Sequence, residues 1–344
     1  MNEFELIDHY FRRPVLPGRR REIALGNGDD CALLSLPPGQ QLAVSTDMLV
    51  EGRHFLPGTD PEALGHKALA VNLSDLAAMG AEPLAFTLAL ALPRVDEQWL
   101  DRFSSGLLAL ADAHQCALVG GDTTAGPLTL CITVMGRVPA GAALARHAAK
   151  AGDDVYVSGT VGDARLALEA HRDGQGCWQL RPEALQRVCL RMDRPTPRLA
   201  LGLALRGVAH AAIDVSDGMA GDLLHVLRAS AVDAEIDLES LLESPALSDD
   251  VRALPREQAL TCALAGGDDY ELLFTAPASA RGAVAAAAAA AHTPVTRIGR
   301  IRPQPGSVLS AAGLAAPPRV FWTDRQGRPV QPPARALASF DHFA

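Results

Sequence analysis

The stretch V-N-L-S-D-L-A-A-M-G-A, from Val71 to Ala81, contains a single carboxylate, Asp75, in otherwise nearly apolar sequence. It ends a helical pattern that opens with the capping residues T-D-P at 59–61 and closes at Gly80. From Ala68 to Met79 the other side chains are small or apolar on nearly every side, which is typical of a helix surrounded by other elements. The sequence therefore predicts a buried helix that organises the domain around it.

Asp75 needs a partner in such a helix, because removing a carboxylate from water costs several kcal/mol. The nearest basic residue in the sequence, Lys67, lies eight positions and more than two turns away, too far to pair locally. Asn72 is three positions before Asp75, so the two polar side chains share a face of the helix. A bound metal ion is the natural candidate for the partner. The alternative is an aspartate that is hydrogen-bonded to the backbone of a neighbouring loop.

Length and composition indicate a protein of two ordinary domains with substantial cores. The chain has 344 residues, of which 48% are hydrophobic. Its net charge of −9 argues against a nucleic-acid binder that relies on Lys and Arg to neutralise phosphates. The same charge suits a protein that meets anionic ligands through bound cations.

The cysteines and the N-terminus predict a cytoplasmic protein. Six cysteines show no C-x-x-C pair, and we interpret them as reduced core thiols. The acidic N-terminal segment lacks the basic and then apolar pattern of an export signal, and no apolar run approaches membrane-spanning length. We therefore expect a soluble chain with no membrane partner.

Aspartates recur at predicted strand ends, in turns flanked by glycine or, for Asp75, near a helix end, where side chains can converge on one cleft. They are Asp30, Asp47, Asp75, Asp122, Asp214 and Asp217. Oxygen ligands without clustered Cys or His select Mg²⁺ or a similar ion, and the hydroxyls of Ser45, Thr46 and Ser216 suit the same use. Several carboxylates in one cleft would repel one another unless cations lay between them. The alternative is a set of ordinary turns with solvated aspartates.

The common nucleotide-binding loops are absent. No stretch matches G-x-x-x-x-G-K-[ST], and D-F-G does not occur; H-R-D occurs at 171–173, but the chain has Trp178 where the protein-kinase pattern H-R-D-x-x-x-x-N requires Asn. A bound phosphate would have to be held through metal ions and by glycine backbone in G-N-G-D-D (26–30) and G-G-D-T-T (120–124). Arg146 is a candidate extra cation for phosphate, the alternative being a solvated arginine.

Two pairs of similar segments suggest an internal duplication. V-N-L-S-D at 71–75 is similar to I-D-V-S-D at 213–217, and C-A-L-V-G-G-D at 116–122 is similar to C-A-L-A-G-G-D at 262–268. Helical and strand patterns alternate with hairpins, which indicates a mixed α/β (α+β) fold other than a simple doubly wound sheet. We therefore predict two related α/β domains, residues 1–150 and 151–344.

Six segments together resemble the thiamine-monophosphate kinase family. They are N-L-S-D-L-A-A-M-G-A, S-T-D-M-L-V-E-G-x-H-F, A-L-V-G-G-D-T-T, R-x-x-A-x-x-G-D-D-V-Y-V-S-G, I-D-x-S-D-G and G-G-x-D-Y-E-L. The resemblance covers nearly the whole chain. It implies a homodimer in which the ATP- and Mg²⁺-binding N-terminal domains pair into a β-barrel, with a C-terminal domain completing the active-site cleft. It also implies transfer of the ATP γ-phosphate to thiamine monophosphate, giving thiamine diphosphate and ADP.

The resemblance also implies roles for individual residues. The implied magnesium ligands are Asp30, Ser45, Thr46, Asp47, Asp75, Asp122, Asp214 and Asp217. The implied ATP contacts are Gly121, Asp122, Arg146 and Ser216, and His54 would meet the thiamine phosphate. Asp268 stands where the family usually has Glu, and Phe340 stands where it usually has Trp or Tyr. Phe340 would stack on the pyrimidine ring, or else serve as a tail residue packed for stability.

The sequence is also compatible with two other functions. One is a different ATP-dependent enzyme of the same superfamily, such as aminoimidazole ribonucleotide synthetase. Selenophosphate synthetase is disfavoured because the chain lacks an N-terminal cysteine followed by a glycine-rich stretch containing lysine. The other is a non-catalytic scaffold whose acid clusters hold structural ions. For the kinase we expect direct transfer without a catalytic nucleophile, since every aspartate of the cleft is assigned to a metal.

Overall fold

A computed structural model describes residues 3–12, 21–27, 29–173, 176–304 and 317–338. Contacts within the chain divide it into two compact units. The N-terminal unit comprises Met1–Leu76 and Ala81–Ala143, and the C-terminal unit comprises Ala77–Gly80 and Leu144–Ala344. Each unit contains helices and a sheet of its own, so the predicted mixed α/β fold with two sheet-containing domains is confirmed.

The N-terminal unit contains a four-stranded sheet, a two-stranded hairpin and two long helices. In chain order its elements are α1 (Glu3–Leu6), a π-helical turn (Ile7–Phe11), β1 (Ile23–Leu25), β2 (Leu33–Leu34), β3 (Gln40–Val50), α2 (Pro61–Ala78), β4 (Glu82–Leu92), α3 (Glu97–Ala113), β5 (Ala117–Ala125) and β6 (Thr129–Pro139). The strand order is β3-β6-β4-β5, with the β4/β5 pair parallel and the others antiparallel.

Helix α2 is the predicted buried helix, and the structure confirms it. Asp60 caps its first turn, because the backbone N–H of Ala63 donates to Asp60 Oδ1 at 3.0 Å. Gly80 follows the helix with φ +62°, a left-handed conformation that glycine adopts without steric cost. Lys67 lies within the helix and is itself buried.

Helices α2 and α3 approach each other through glycine. A Cβ atom placed on Gly65 would lie 2.1 Å from the carbonyl oxygen of Phe103, and one on Gly106 would lie 1.9 Å from that of Glu62. Both distances are far below van der Waals contact. The two backbones therefore meet directly, at a separation that any side chain would prevent.

Two strands are longer than predicted. The apolar runs of the sequence predict strands over 41–45 and 117–119, with polar turns after them, but β3 continues to Val50 and β5 to Ala125. Strand β3 pairs with β6 at every position from Gln40 to Val50, and these ladder hydrogen bonds keep its polar residues in the strand. In β5 a register shift precedes Gly120, and Gly121 adopts φ +151°. Thr46, Asp47 and Asp122 therefore lie inside strands and not at their ends.

The C-terminal unit is built on a six-stranded sheet. Its helices and strands are β7 (Asp153–Ser158), α4 (Asp163–Arg172), α5 (Pro182–Asp193), α6 (Leu199–Ala204), β8 (Ala211–Asp214), α7 (Met219–Ser230), β9 (Val232–Asp237), α8 (Leu238–Glu243), α9 (Asp249–Arg252), α10 (Arg256–Ala265), β10 (Leu272–Pro277), α11 (Arg281–Ala290), β11 (Val295–Pro303) and β12 (Val320–Thr323). Single 3₁₀ turns occur at Arg146–Ala148, Ala278–Ala280 and Ala334–Leu337. The strand order is β12-β9-β11-β7-β10-β8, and every pair except β12/β9 is antiparallel.

The duplication inferred from the two pairs of similar segments is wrong. Residues 71–75 lie within helix α2, whereas 213–217 cover the end of strand β8 and the loop after it. Residues 116–122 lie mainly in β5, whereas 262–268 cover the end of α10 and a loop. Five to seven residues do not fix a conformation, because packing around them decides it.

The cysteines are only partly in the core. All six are free; Cys116 and Cys262 are buried as predicted, but Cys31 and Cys177 are exposed, so the prediction of core thiols is wrong for these two. Within the described ranges, no helix combines the length and the apolar character needed to cross a membrane.

Candidate active site

A polar contact joins strand β3 to helix α2. The hydroxyl of Ser45 donates to Asp75 Oδ2 at 2.5 Å. Two residues along the strand, the backbone N–H of Asp47 donates to Asn72 Oδ1 at 3.2 Å, and Asn72 Nδ2 donates to the carbonyl of Ala68 at 3.0 Å. Asn72 and Asp75 therefore share a face of α2, as predicted, and this face is directed at β3. The side-chain hydroxyl of Ser45 is thus one partner of Asp75.

The remaining acids of this unit are spread along the sheet. Asp122 lies on β5, in register with Ala89 of β4, three strands away from β3. Adjacent strands are about 4.8 Å apart, so roughly 14 Å separates the two strands. Asp30 is exposed in the segment after β1, where its N–H donates to Asp29 Oδ1 at 2.9 Å. Thr46 shares a hydrogen bond with Thr133 Oγ1 at 2.8 Å.

These positions do not form one compact metal centre. In the part of the chain that the structure describes, no group of three or more His, Cys, Asp or Glu side chains is close enough together to hold an ion. An ion at Asp75 or Asp47 would therefore need oxygen ligands from hydroxyls, water or a bound phosphate. Mg²⁺ uses such sites, with one or two carboxylates together with substrate oxygens and water.

His54 lies in the tight loop that follows β3. The backbone N–H of Val50 donates to His54 Nδ1 at 3.0 Å, and the N–H of His54 donates to the Val50 carbonyl at 3.0 Å. Because Nδ1 accepts a hydrogen bond, the neutral ring carries its proton on Nε2. The ring is half-buried.

In the C-terminal unit, the loop after β8 is held by an aspartate that sequence reasoning missed. Asp214 is buried at the end of β8, and the backbone N–H groups of Ser216 and Asp217 donate to Asp222 Oδ2 at 3.1 and 3.2 Å. Burial, and then the charge of Asp217, raises the pKa of Asp222 to about 7. The available signal was an acid in the first turn of a helix that follows a glycine, Gly218.

A second loop lies against the first. The N–H of Asp268 donates to the carbonyl of Ser216 at 2.9 Å, and the N–H of Tyr270 donates to that of Val215 at 2.9 Å. The structure thus brings Asp268 beside Ser216. Asp268 and Tyr270 have φ of +64° and +51°, a left-handed conformation that costs about 1–2 kcal/mol for each non-glycine residue. Tyr270 Oη donates to Asp268 Oδ1 at 3.1 Å.

Glu271, which follows this loop, is completely buried and was also missed. Ser158 Oγ donates to its Oε2 at 2.6 Å, Arg191 donates to its Oε1 at 2.7 Å, and Arg198 donates to both oxygens at 2.7 and 2.5 Å. These partners come from β7, α5 and the residue before α6. Sequence spacing carries no signal for such a cluster.

Three further residues were predicted as substrate contacts: Arg146, Phe340 and Gly121. Arg146 is exposed at the start of a 3₁₀ turn of the C-terminal unit, where its carbonyl accepts from Ser230 Oγ at 2.7 Å. Phe340 lies outside the described residues. Gly121, the other predicted ATP contact of the N-terminal unit, is exposed beside Asp122.

The fold and these loops correspond to a known class. Residues 28–138 match the family described as AIR synthase related protein, N-terminal domain, and residues 150–311 match AIR synthase related protein, C-terminal domain. The two matches cover most of the chain, which defines it as an AIR synthase related protein.

Individual relatives narrow this class. The thiamine-monophosphate kinase of Escherichia coli (strain K12) is 50% identical over 305 residues, covering 87% of this chain and 90% of that protein. The crystal structure of thiamine-monophosphate kinase from Stenotrophomonas maltophilia K279a is 47% identical, with a TM-score of 0.78 over 88% of this chain and 92% of that one. The structure of AaThiL complexed with AMPPCP and TMP is 30% identical, with a TM-score of 0.69 over 87% of each chain. The chain belongs to the thiamine-monophosphate kinase family.

Proposed function

We propose that this chain transfers the γ-phosphate of ATP to thiamine monophosphate, giving thiamine diphosphate and ADP. The identity of 50% with the Escherichia coli thiamine-monophosphate kinase carries this proposal. Further support comes from AaThiL, which is similar over 87% of this chain and was solved with AMPPCP and TMP bound. AMPPCP has the shape and charge of ATP, so that complex contains an analogue of the donor together with TMP.

Mg²⁺ fits the donor set of this chain. The proposed ligands are all oxygen donors: Asp30, Ser45, Thr46, Asp47, Asp75, Asp122, Asp214 and Asp217. Their spread along the chain suits several ions, each completed by nucleotide phosphate oxygens and water, better than one ion enclosed by protein. When bound, such ions neutralise phosphate charge and align donor with acceptor.

The other proposed contacts divide between the two substrates. For ATP they are Gly121, Asp122, Arg146 and Ser216. For thiamine monophosphate they are His54, Asp268 and Phe340. His54 offers an Nε2 proton to a phosphate oxygen, and Asp268 is held at the loop that carries Ser216.

We further propose that transfer is direct, with no phosphoenzyme. The acceptor is itself a phosphate, already largely ionised at neutral pH, so it needs neither a covalent relay nor a strong base. A chiral γ-phosphate should then be transferred with inversion, and ADP should not exchange into ATP without thiamine monophosphate. Retention of configuration would contradict direct transfer and leave the overall reaction intact.

The assembly we propose is a cytoplasmic homodimer. Residues 1–150 form the ATP- and Mg²⁺-binding domain that dimerises, and residues 151–344 form a second domain that completes the site. Leu42, Val44 and Met48 alternate along one face of β3 and are 46–56% exposed, which suits a barrel completed by a second copy. Val44→Glu should therefore yield monomers by sedimentation, whereas an unchanged dimer would place the interface elsewhere. The six free cysteines suit a reducing compartment.

The decisive experiment is a panel of acceptors assayed for ADP release with ATP and Mg²⁺. The panel contains thiamine monophosphate, thiamine, an aminoimidazole precursor and no acceptor. We expect ADP release that depends on thiamine monophosphate, together with thiamine diphosphate as product. Release with the aminoimidazole precursor would indicate another enzyme of the superfamily. No release with any acceptor would support a scaffold.

A further inference from the structure

Glu271 holds the loop that carries Asp268 from one end. Its backbone carbonyl accepts from the N–H of Val215 at 2.8 Å, directly after the bonds that join Tyr270 to Val215 and Asp268 to Ser216. The short segment 268–271 therefore forms a ladder with 215–216. A displacement of Glu271 would move Asp268 relative to Ser216.

The carboxylate of Glu271 is fixed from several directions. It accepts hydrogen bonds from Ser158, Arg191 and Arg198, and it has no exposed surface. Arg198 donates two parallel hydrogen bonds, which fix both the position and the plane of the carboxylate. Ser158 Oγ also accepts the N–H of Leu272 at 2.8 Å, so the residue after Glu271 is fixed as well.

The loop needs such an anchor because its backbone is strained. Asp268 and Tyr270 both have positive φ, and such conformations persist only where the surroundings enforce them. Glu271 anchors the end of this segment, and the buried Asp269, whose Oδ2 accepts the N–H of Gly162 at 2.8 Å, anchors its middle.

We infer that Glu271, with Arg191, Arg198 and Ser158, is a positioning residue that sets Asp268 for the phosphate acceptor. This inference rests on the proposed function. Ser216 has an additional anchor outside the 268–271 segment, because its N–H donates to Asp222 Oδ2 at 3.1 Å. Loosening Glu271 should therefore disturb the acceptor more than ATP.

Arg198→Lys tests this inference, because it keeps the positive charge and removes the paired hydrogen bonds. Arg281→Lys is a matched control. Arg281 likewise donates two hydrogen bonds to a buried carboxylate of the same sheet, Asp154, at 2.6 and 2.9 Å. Ser158→Ala is a milder second variant that removes one donor to Glu271.

We expect Arg198→Lys to raise KM for thiamine monophosphate about tenfold while KM for ATP changes less than about twofold. Ser158→Ala should change the same constant in the same direction, and Arg281→Lys should lower Tm without changing either KM. Hydrogen exchange should be faster at residues 266–271 in Arg198→Lys than in Arg281→Lys, whether or not substrate is present.

The outcomes separate the two proposals. If wild-type protein forms no thiamine diphosphate, the proposed reaction is wrong. The exchange experiment still decides whether the hydrogen bonds to Glu271 hold the loop. If wild-type protein is active and Arg198→Lys lowers Tm with both KM values unchanged, Glu271 is structural only. A parallel rise of both KM values would also overturn the inference, since it would indicate general loosening. Unchanged exchange at 266–271 would contradict the anchoring itself.

Discussion

Ser45 Oγ lies 2.5 Å from Asp75 Oδ2, so a strand hydroxyl donates to the one carboxylate of the final turns of α2. Asp47 contacts the same helix through Asn72. The carboxylate of Asp75 is an oxygen donor of the kind that a hard cation binds. Asp75 is half-buried, so such a cation would reach it from the exposed side.

Asp75→Asn should lower turnover on the order of 100-fold, because the neutral amide loses affinity for the cation. The amide oxygen still accepts from Ser45, so Tm should change by no more than a few degrees. Steady-state ADP release and thermal unfolding measure the two effects. Asp101→Asn, at an exposed position of α3, is the control and should alter neither. Persistent turnover together with a large fall in Tm would show that Asp75 is structural.

Removal of divalent cations should abolish turnover, and added Mg²⁺ should restore it. The proposed nucleotide site has far more carboxylate than basic charge, so it cannot hold a triphosphate alone. Because nucleotide oxygens would complete each coordination shell, chelation without nucleotide should hardly change Tm. Full activity after exhaustive chelation would contradict the proposed role of the metal.

Phe340→Ala should raise KM for thiamine monophosphate by about tenfold at most and leave KM for ATP nearly unchanged, because a lost aromatic contact weakens only the stacked ligand. Phe340→Trp, which restores a residue usual in the family, should keep the wild-type value. Phe321→Ala is the control, because it removes an aromatic ring that is not among the proposed substrate contacts. The ring of Phe321, on β12, packs against Arg302 and Arg319. A higher KM for ATP with an unchanged KM for thiamine monophosphate would show that the acceptor pocket lies elsewhere.

Asp154→Asn should destabilise the protein in a pH-dependent way. The hydrogen bonds from Arg281 hold the pKa of Asp154 below its ordinary value of 3.8, against the opposing effect of burial. The folded chain therefore binds this proton more weakly than the unfolded chain. The stabilising contribution is complete above the ordinary pKa and is lost as the pH falls through the lower, folded-state pKa.

Urea unfolding at a series of pH values measures this effect. At neutral pH the variant should lose about 2 kcal/mol of unfolding free energy. The difference from wild type should narrow as the pH falls below 3.8. Asp249→Asn is the control, because its ion pair with Arg252 is solvent-exposed and contributes little. A difference that stays constant down to the lowest pH would mean that the charge of Asp154 is irrelevant.

Local signals predicted α2 well, because its capping residues, its apolar surface and Gly80 all indicate the same helix. They failed at β3 and β5, where polar residues after an apolar run were interpreted as strand ends. Thr46 and Asp122 remain in strands because pairing with the neighbouring strand satisfies their backbone hydrogen-bonding groups, whichever face of the sheet their side chains occupy. Glu271 was missed for a different reason. Among the residues that donate hydrogen bonds to Glu271, Arg198 is the closest in sequence, yet it is 73 positions away. Only the fold brings the two residues together.

Because helices α2 and α3 meet at two glycines, the position of the Asp75 carboxylate depends on residues that do not touch it. Gly65 and Gly106 let the helix backbones meet, so α2 has a single axial position against α3. Asp75 lies ten residues beyond Gly65, about 15 Å along the helix. Alanine at either glycine would push the helix and carry Asp75 away from Ser45. A design that transfers this carboxylate to another scaffold must therefore also transfer the glycine contact between the two helices. Variation in this chain is likewise constrained at Gly65 and Gly106, although neither has a side chain.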